Sequence, residues 1–421
     1  MERIFGITIH RLREASQFLI LAGLTLWSFS LPFAQAQHTR FTSIFLISFL
    51  VGFLIFLRSD GFSLYRFPYK DALKTLPWVT IGLLPLMHGL DGDSGKEFVA
   101  RLPFLFLPFA FLYWQRIVRF QPFPWMAPAF LAGLLICLGV VFSFGPVYVY
   151  DAVRTLEDSA QEGIFLINRP YFGFVLGLVA LIALSSQGTW LKMPAWVQVL
   201  VVLVTCGLQW FMLTKLSLLA FALAITAGIL LLLKRSPVGL FLGIGLILGV
   251  SIFSGIQFFQ SPVWQEIRQK NGISYHHLPK EYSNSINNRL ILWKASVSLI
   301  QEGKIPIWGQ NPEALQSALD TEVARQNTYL ASRHMNCHNQ PLYMGLKYGI
   351  PGFLVWIWFW AGLFVQSWKS PGKWPFALTL YIWLCSLTEN YLDREMGIQL
   401  YLLVFILVWA NLKSSKVPVR F

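Results

Sequence analysis

Long apolar stretches separated by short polar turns constrain the fold of this chain more than any other feature. A helix needs about 20 mostly apolar residues to cross a bilayer. Stretches that meet this requirement lie at residues 16–35, 41–57, 74–90, 99–115, 126–147, 168–187, 194–213, 216–233, 237–257, 342–366, 375–391 and 397–412. The chain is 55% hydrophobic and only 13% charged, whereas a soluble domain is about one quarter charged. We therefore predict an all-α, polytopic integral membrane protein with about twelve transmembrane helices.

The positive charges of the short turns predict the orientation of the chain. Lys and Arg concentrate in the turns on one side, as at Arg58, Lys70 and Lys234, while the opposite turns are richer in Asp and Glu. Short loops rich in Lys and Arg stay in the cytoplasm. Both termini are therefore predicted to be cytoplasmic. The long polar insert before the last three helices is predicted to be periplasmic, in the inner membrane of a bacterium.

The chain is predicted to divide into three parts. Residues 1–257 form transmembrane helices 1–9, residues 258–340 form the periplasmic insert, and residues 341–421 form helices 10–12 with a cytoplasmic tail. The net charge of +13 does not indicate nucleic-acid binding, because the cations are spread among the turns and form no single basic face.

The insert concentrates titratable side chains, so we predict that the chemistry takes place there. Four of its residues are histidines: His276, His277, His334 and His338. Apolar periodicity predicts one helix over residues 285–299, and Asn311 followed by Pro312 predicts a second helix that runs to about Leu330. Residues 303–310 are predicted to form a loop, and two or three short helices are expected to lie over the membrane face.

His338 is the strongest candidate for a reacting group in the insert. An imidazole titrates near neutral pH and can act as a general base or orient a substrate hydroxyl. The alternative is a histidine that only satisfies backbone groups at a helix start. His334, four residues earlier, raises the possibility of a metal site, but no third ligand or neighbouring glutamate completes one. We predict no metal and no cofactor.

Arg289 and Trp293 are one helical turn apart and share a face. The guanidinium fork suits phosphate oxygens, and an indole offers a surface for a sugar ring or a lipid headgroup. The local pattern alone favours a plainer interpretation, in which Arg289 is solvated and Trp293 is an interfacial anchor.

Further cations lie at the predicted outer surface. Lys215 separates two apolar stretches, where an ionisable residue indicates a functional site or a side chain that reaches back to the interface. Together with Arg289, these cations could form a ring around an anionic headgroup: Arg101, Arg169, Lys215 and Arg268. The charged residues of the last outer turn could pair with these cations or only with each other; they are Glu389, Asp393, Arg394 and Glu395.

Several of these residues resemble the signature of the O-antigen ligase family, which includes O-antigen polymerases and O-oligosaccharyltransferases. His338-Asn339, nine residues, and then the Gly349–Gly352 Gly-x-x-Gly resemble the family's main motif. The helix that bears Arg289 and the turn at residues 307–311 resemble two further family segments. Thr214-Lys215 falls where the family usually has Ser-Arg, so the charge is kept and the two-pronged fork is lost.

The resemblance implies a metal-independent, inverting membrane glycosyltransferase. Its donor would be a glycan on undecaprenyl diphosphate, and its acceptor a sugar hydroxyl of lipid A–core for a ligase, or of another lipid-linked repeat for a polymerase. His338 would deprotonate or orient the acceptor, Asn339 would fix its loop, and Arg289 with Lys215 and Arg268 would hold the diphosphate. Arg169 and Trp293 would add contacts to the donor. The alternative from another class is a transporter of lipid-linked glycans, which is expected to show an inverted repeat.

Overall fold

The computed structural model describes residues 3–4, 7–33, 39–60, 69–90, 92–118, 123–143, 169–185, 194–211, 214–233, 285–370, 373–393 and 395–413. The helices of these residues are α1 Ile9–Ser30, α2 Thr39–Asp60, α3 Tyr69–Leu83, α4 Gly92–Val118, α5 Phe123–Ser143, α6 Arg169–Ser185, α7 Ala195–Phe211, α8 Lys215–Leu233, α9 Ser285–Gln301, α10 Pro312–Ala324, α11 Thr328–Ala331, α12 Gln340–Trp368, α13 Trp374–Ser386 and α14 Glu395–Lys413. Three 3-10 turns, Leu31–Phe33, Leu84–His88 and Tyr391–Asp393, join some of them. A short antiparallel pair, β1 Arg3–Ile4 with β2 Ile7–Thr8, precedes α1.

The described part of the chain is otherwise helical, as the apolar stretches predict. Each predicted membrane stretch overlaps a helix except 237–257, which lies outside the described residues. The predicted stretches 194–213 and 216–233 are separated by very few residues. They correspond to two helices, α7 and α8, and not to one. The all-helical class is confirmed.

Two described helices, Gly92–Trp114 and Gln340–Trp368, are long and apolar enough to cross a membrane, and the other apolar helices are shorter. The helical apolar segments are those of a membrane protein. The number of spans, the sidedness of the insert and the three-part division stay predictions.

The helices pack around large aromatic side chains. The Trp78 ring of α3 contacts Phe104 of α4, Phe359 of α12 and Phe405 of α14, with ring centroids 4.6–5.3 Å apart. Rings in such edge-on contacts gain more than their buried area alone provides. α3, α4, α12 and α14 therefore form one packed group, and α12 carries the first residues of the candidate site.

The insert helices have a small core of their own. Leu292 and Leu299 of α9 pack with Leu315 and Leu319 of α10. Asn311 caps α10 as predicted, since its side chain accepts a hydrogen bond from the amide of Ala314 at 2.8 Å. The second predicted helix is wrong in length: α10 ends at Ala324 and α11 begins separately.

The physical reason for the break is a second cap. The Asn327 side chain accepts a hydrogen bond from the amide of Leu330 at 2.8 Å, and its extended backbone interrupts the helix. The predicted loop at residues 303–310 is confirmed, and the helix predicted over residues 285–299 is α9, which ends at Gln301.

Candidate active site

Three segments that are distant in sequence meet at His338. These are α9 of the insert, the start of α12, and the segment that follows α13, residues 387–393. Asn339 donates a hydrogen bond from Nδ2 to the carbonyl oxygen of Leu387 at 3.0 Å. Gln340, fully buried, accepts one from the amide of Leu392 at 2.8 Å. The start of α12 is therefore fixed to both ends of this segment.

The conformation of His338 follows from the way α12 begins. Asn339 is the N-cap of α12, and its Oδ1 accepts from the amide of Leu342 at 3.0 Å. Asn339 thus connects the start of α12 to the segment after α13. His338 precedes this cap with a φ of +47°, a region that non-glycine residues rarely occupy. Its amide donates to the side chain of Asn336 at 3.1 Å.

Glu389 joins the two principal predicted site residues. His338 Nδ1 lies 2.7 Å from Glu389 Oε1, and Arg289 Nη2 lies 3.3 Å from Glu389 Oε2. Burial raises the pKa of the Glu389 carboxyl, but His338 and Arg289 lower it by more, so it lies below its usual range. We call these three residues, Arg289, His338 and Glu389, the His338 cluster.

An ionised Glu389 determines the tautomer of His338. A carboxylate only accepts hydrogen bonds, so Nδ1 must carry the proton that it shares with Glu389. A neutral ring with this tautomer has its lone pair on Nε2, for which no hydrogen bond to a described residue is found. The His338 side chain is 20% exposed, so part of the ring reaches solvent. The pair is the arrangement expected of a general base held by a carboxylate.

Arg289 is tied to the same segment by two different atoms. Its Nε donates to the carbonyl oxygen of Thr388 at 2.9 Å, and its Nη2 pairs with Glu389. The side chain is only 11% exposed, so the interpretation of Arg289 as a solvated helix residue is wrong. Trp293 lies one turn further along α9, and its buried indole nitrogen has no hydrogen-bond partner among the described residues.

Neighbouring groups do not compete with His338 as reacting groups. Cys337 is buried, and burial raises the pKa of its thiol to about 12, so no thiolate nucleophile is present. His334 pairs separately with Asp320 at 2.6 Å and is mostly exposed. Within the described ranges no group of three or more His, Cys, Asp and Glu side chains is arranged to hold a metal ion.

Two of the predicted donor-binding residues, Arg169 and Lys215, are the first residues of α6 and α8. Their side chains and the whole of Arg268 lie outside the described residues. The two helix starts are close to each other, because a Cβ on Gly173 would lie 2.6 Å from the Thr214 side chain. Tyr391 stacks at 4.6 Å on Phe174, which places the start of α6 beside the Glu389 segment.

The cation Arg101 does not belong to a headgroup ring. It lies within α4, is fully buried and pairs with Glu97, one turn before it, and with Asp393. Lys347 of α12 also pairs with Glu97, and the Tyr348 hydroxyl donates to Glu97 at 2.7 Å. These five residues, Glu97, Arg101, Lys347, Tyr348 and Asp393, form a second, closed group that we call the Glu97 cluster. Glu389 and Asp393 of the last outer turn thus pair with cations from other helices.

The glycines of the predicted signature have a structural function. Gly349 has a φ of +64° and interrupts the helical geometry of α12. The loop of residues 307–309 packs directly against Gly349, so a Cβ on Gly349 would overlap the Ile307 carbonyl. Gly352 fits against the Met344 carbonyl oxygen, 2.8 Å from where its Cβ would lie. Glycine is required at a left-handed position of such close approach.

Lys347 is absent from the sequence prediction, and Glu389 appears there only as a possible partner of the outer cations. Glu389 lies at the end of one apolar stretch, and Lys347 interrupts another. Ionisable residues at membrane depth indicate function or a dedicated partner, and this signal identifies both. Which cation each acid pairs with depends on packing across more than fifty residues, which the local pattern does not contain.

Residues 172–357 match the family model described as O-antigen ligase. The match covers α6 to the first half of α12, and therefore both Arg289 and His338 with its Gly-x-x-Gly partner. It confirms the resemblance to the O-antigen ligase family. Members of this family are membrane glycosyltransferases, which supports an enzymatic function for this chain. A search of curated proteins finds no match.

Proposed function

We propose that this protein is an O-antigen ligase that acts at the periplasmic face of the inner membrane. It transfers a glycan from undecaprenyl diphosphate to a sugar hydroxyl of lipid A–core, without a metal and with inversion. The observation that carries the proposal is the Glu389–His338 pair, which orients a partly exposed imidazole in a family whose members transfer glycans.

The transfer needs only the donor, the acceptor and the side chains of the His338 cluster. The acceptor oxygen attacks the anomeric carbon as its proton passes to His338 Nε2. The bond between that carbon and the diphosphate oxygen breaks, and the electron pair leaves with undecaprenyl diphosphate. Glu389 stabilises the imidazolium that forms, as a buried carboxylate does for a catalytic histidine.

Positive charge at the leaving diphosphate lowers the barrier. Arg169 and Lys215 start two adjacent helices beside the Glu389 segment, a placement that supports their role in holding the diphosphate. Arg289 contributes charge from the opposite side and keeps Glu389 in place. Arg268 and the indole of Trp293 complete the proposed donor site.

A reconstituted assay tests the proposal and separates it from its alternatives. Purified protein in liposomes receives a labelled glycan on undecaprenyl diphosphate, with lipid A–core, with a second lipid-linked repeat, or alone. Transfer to lipid A–core with release of undecaprenyl diphosphate supports a ligase. Glycan extension on the lipid carrier supports the polymerase instead. Movement of intact donor across the bilayer without release supports the transporter and contradicts both enzymes.

The periplasmic position of the site has its own test. Single cysteines at Ser332 of the insert and at Lys70, in a turn predicted to be cytoplasmic, are exposed to an impermeant thiol reagent in intact spheroplasts. Only the Ser332→Cys protein is expected to react. Reaction of Lys70→Cys alone would invert the proposed orientation.

A further inference from the structure

The loop at residues 303–310 has an apolar tip that no described residue of the insert covers. Ile307 and Trp308 are each 66% exposed, more than any other large apolar side chain in the described part of the insert. Exposed neighbouring apolar side chains of this size indicate contact with another apolar phase. Trp is also enriched where a membrane meets water.

The tip is fixed to a helix that is long and apolar enough to span a membrane. The amide of Ile350 donates to the carbonyl oxygen of Ile307 at 2.9 Å, and that of Gln310 donates to Leu346 at 3.1 Å. Gly309, with a φ of +81°, lies so close that a Cβ would overlap the Lys347 carbonyl. Because the loop is bonded to the kink of α12 on both sides of the tip, its position relative to α12 is set.

The apolar surface continues from the tip along α12. Ile350, Phe353 and Leu354 lie directly after the kink and are exposed. His88 contacts the same Lys347 carbonyl from the other side, at 2.6 Å. Exposed apolar residues lie beside His88 as well: Leu86, Met87 and Leu90. The tip, the exposed residues beside His88 and the exposed residues that follow the kink therefore all adjoin α12 where it bends.

We infer that Ile307 and Trp308 insert into the outer leaflet of the bilayer and anchor the insert to the membrane beside α12. The occupant of this surface is bulk lipid at the boundary between headgroups and acyl chains. This follows from the continuity of the tip with the exposed face of α12, whose surroundings in a membrane are acyl chains. The anchor would hold α9, and with it Arg289, at a constant height above the bilayer.

Depth-dependent fluorescence quenching tests the inference without reference to activity. An environment-sensitive fluorophore is attached to Trp308→Cys in the full-length chain with Cys206, the half-buried cysteine, replaced by alanine. Ile307→Cys provides a second position at the tip. Ser332→Cys is the matched control, because it is an exposed insert residue followed by the exposed polar residues Arg333 and His334. The protein is reconstituted in nanodiscs of phosphatidylethanolamine and phosphatidylglycerol.

A lipid with a nitroxide near the top of its acyl chain is expected to quench both tip positions at least threefold more strongly than position 332. Aqueous iodide is expected to show the reverse order. Equal iodide quenching at the tip and at Ser332→Cys would overturn the inference. Protection of the tip from both quenchers would overturn it too, because a protein surface, such as a second copy of the chain, would then cover the tip. Neither result depends on whether the protein transfers glycan.

Discussion

The His338 cluster and the Glu97 cluster are built from the same two segments, yet they differ in what they leave accessible. The chain around the start of α12 provides His338, just before the cap, to one and Lys347, within the helix, to the other. The segment after α13 provides Glu389 and Asp393 respectively. The Glu97 cluster balances two acids with two cations and is almost completely buried. The His338 cluster pairs one acid with an arginine and a histidine, and the histidine is partly exposed.

This difference separates a chemical role from a structural one. Buried charges are tolerated when each has a partner, and removing one partner leaves the other uncompensated. The Glu97 cluster meets this condition and ties α4 to α12 and to Asp393. Asp393 of the Glu97 cluster and Glu389 of the His338 cluster lie in the same short segment. The Glu97 cluster therefore helps to hold Glu389 in place. We therefore expect substitutions in one cluster to affect turnover and substitutions in the other to affect stability.

The largest expected effect is the loss of glycan transfer in His338→Ala. A general base typically contributes about 100- to 10,000-fold to the rate, and the loss is measured as transfer of labelled glycan by purified protein. Protein level and donor binding are expected to stay near those of the parent. His338→Gln keeps a hydrogen bond without accepting a proton, so partial activity in that variant indicates an orienting role.

His334→Ala is a matched control for this experiment. His334 also has a positive φ, +48°, and also pairs through Nδ1 with a carboxylate, but it lies in the exposed part of the insert. Its substitution is expected to leave the rate within about twofold. Transfer by the His338→Ala protein at close to the parent rate would show that the His338 cluster is not the catalytic centre.

The next effect is on stability, and it belongs to the Glu97 cluster. Glu97→Gln leaves Arg101 and Lys347 buried without their principal acid, which is expected to cost about 3–5 kcal/mol. Glu322→Gln is the control, since Glu322 is equally buried but its partners Lys304 and Arg325 are partly exposed and can turn to water. Thermal unfolding in detergent, followed by intrinsic fluorescence, compares the two. Similar melting temperatures for both variants would mean that the Glu97 cluster does not stabilise the packing of α4 against α12.

The sequence predicts the elements of this molecule better than the pairing between them. Apolar length and the caps at Asn311 and Asn339 are local signals, and the described helices follow them. The motif around His338 also predicts the principal site residue. Glu389 as the partner of both Arg289 and His338 depends on α9, α12 and the segment after α13 packing together, which no local pattern encodes. The same holds for Arg101, whose charge alone suggested a headgroup contact.

A smaller effect is expected for Arg289→Lys, which keeps the charge of the open cluster but not its geometry. An ammonium cannot place one donor on Thr388 and another on Glu389 at the angles that the guanidinium provides. We expect about a tenfold to hundredfold loss of transfer, nearly as severe as in Arg289→Ala. Arg325→Lys is the control, because the Arg325 side chain is itself exposed, and it should behave as the parent. Near-normal transfer by Arg289→Lys would reduce Arg289 to a generic positive charge.

The smallest expected effect is a pH-dependent loss of stability that isolates Glu389. Its pKa in the folded protein lies below the usual value because His338 and Arg289 outweigh the effect of burial. The ionised carboxylate therefore stabilises the fold at every pH above the ordinary glutamate pKa of about 4.3. That stabilisation is lost as the pH falls through the lower folded-state pKa. At pH 7 the variant Glu389→Gln is expected to be less stable than the parent by about 1.5–3 kcal/mol, the contribution of hydrogen bonds to a charged group. Melting temperatures of parent and variant, measured from pH 7 to pH 3, should therefore converge at the acid end. A difference that widens as the pH falls from 7 would mean that Glu389 is neutral in the folded protein, because a raised folded-state pKa stabilises the parent at acid pH. His338 Nδ1 would then have no carboxylate to hold it, and the open cluster would lose the feature that distinguishes it from a structural pair.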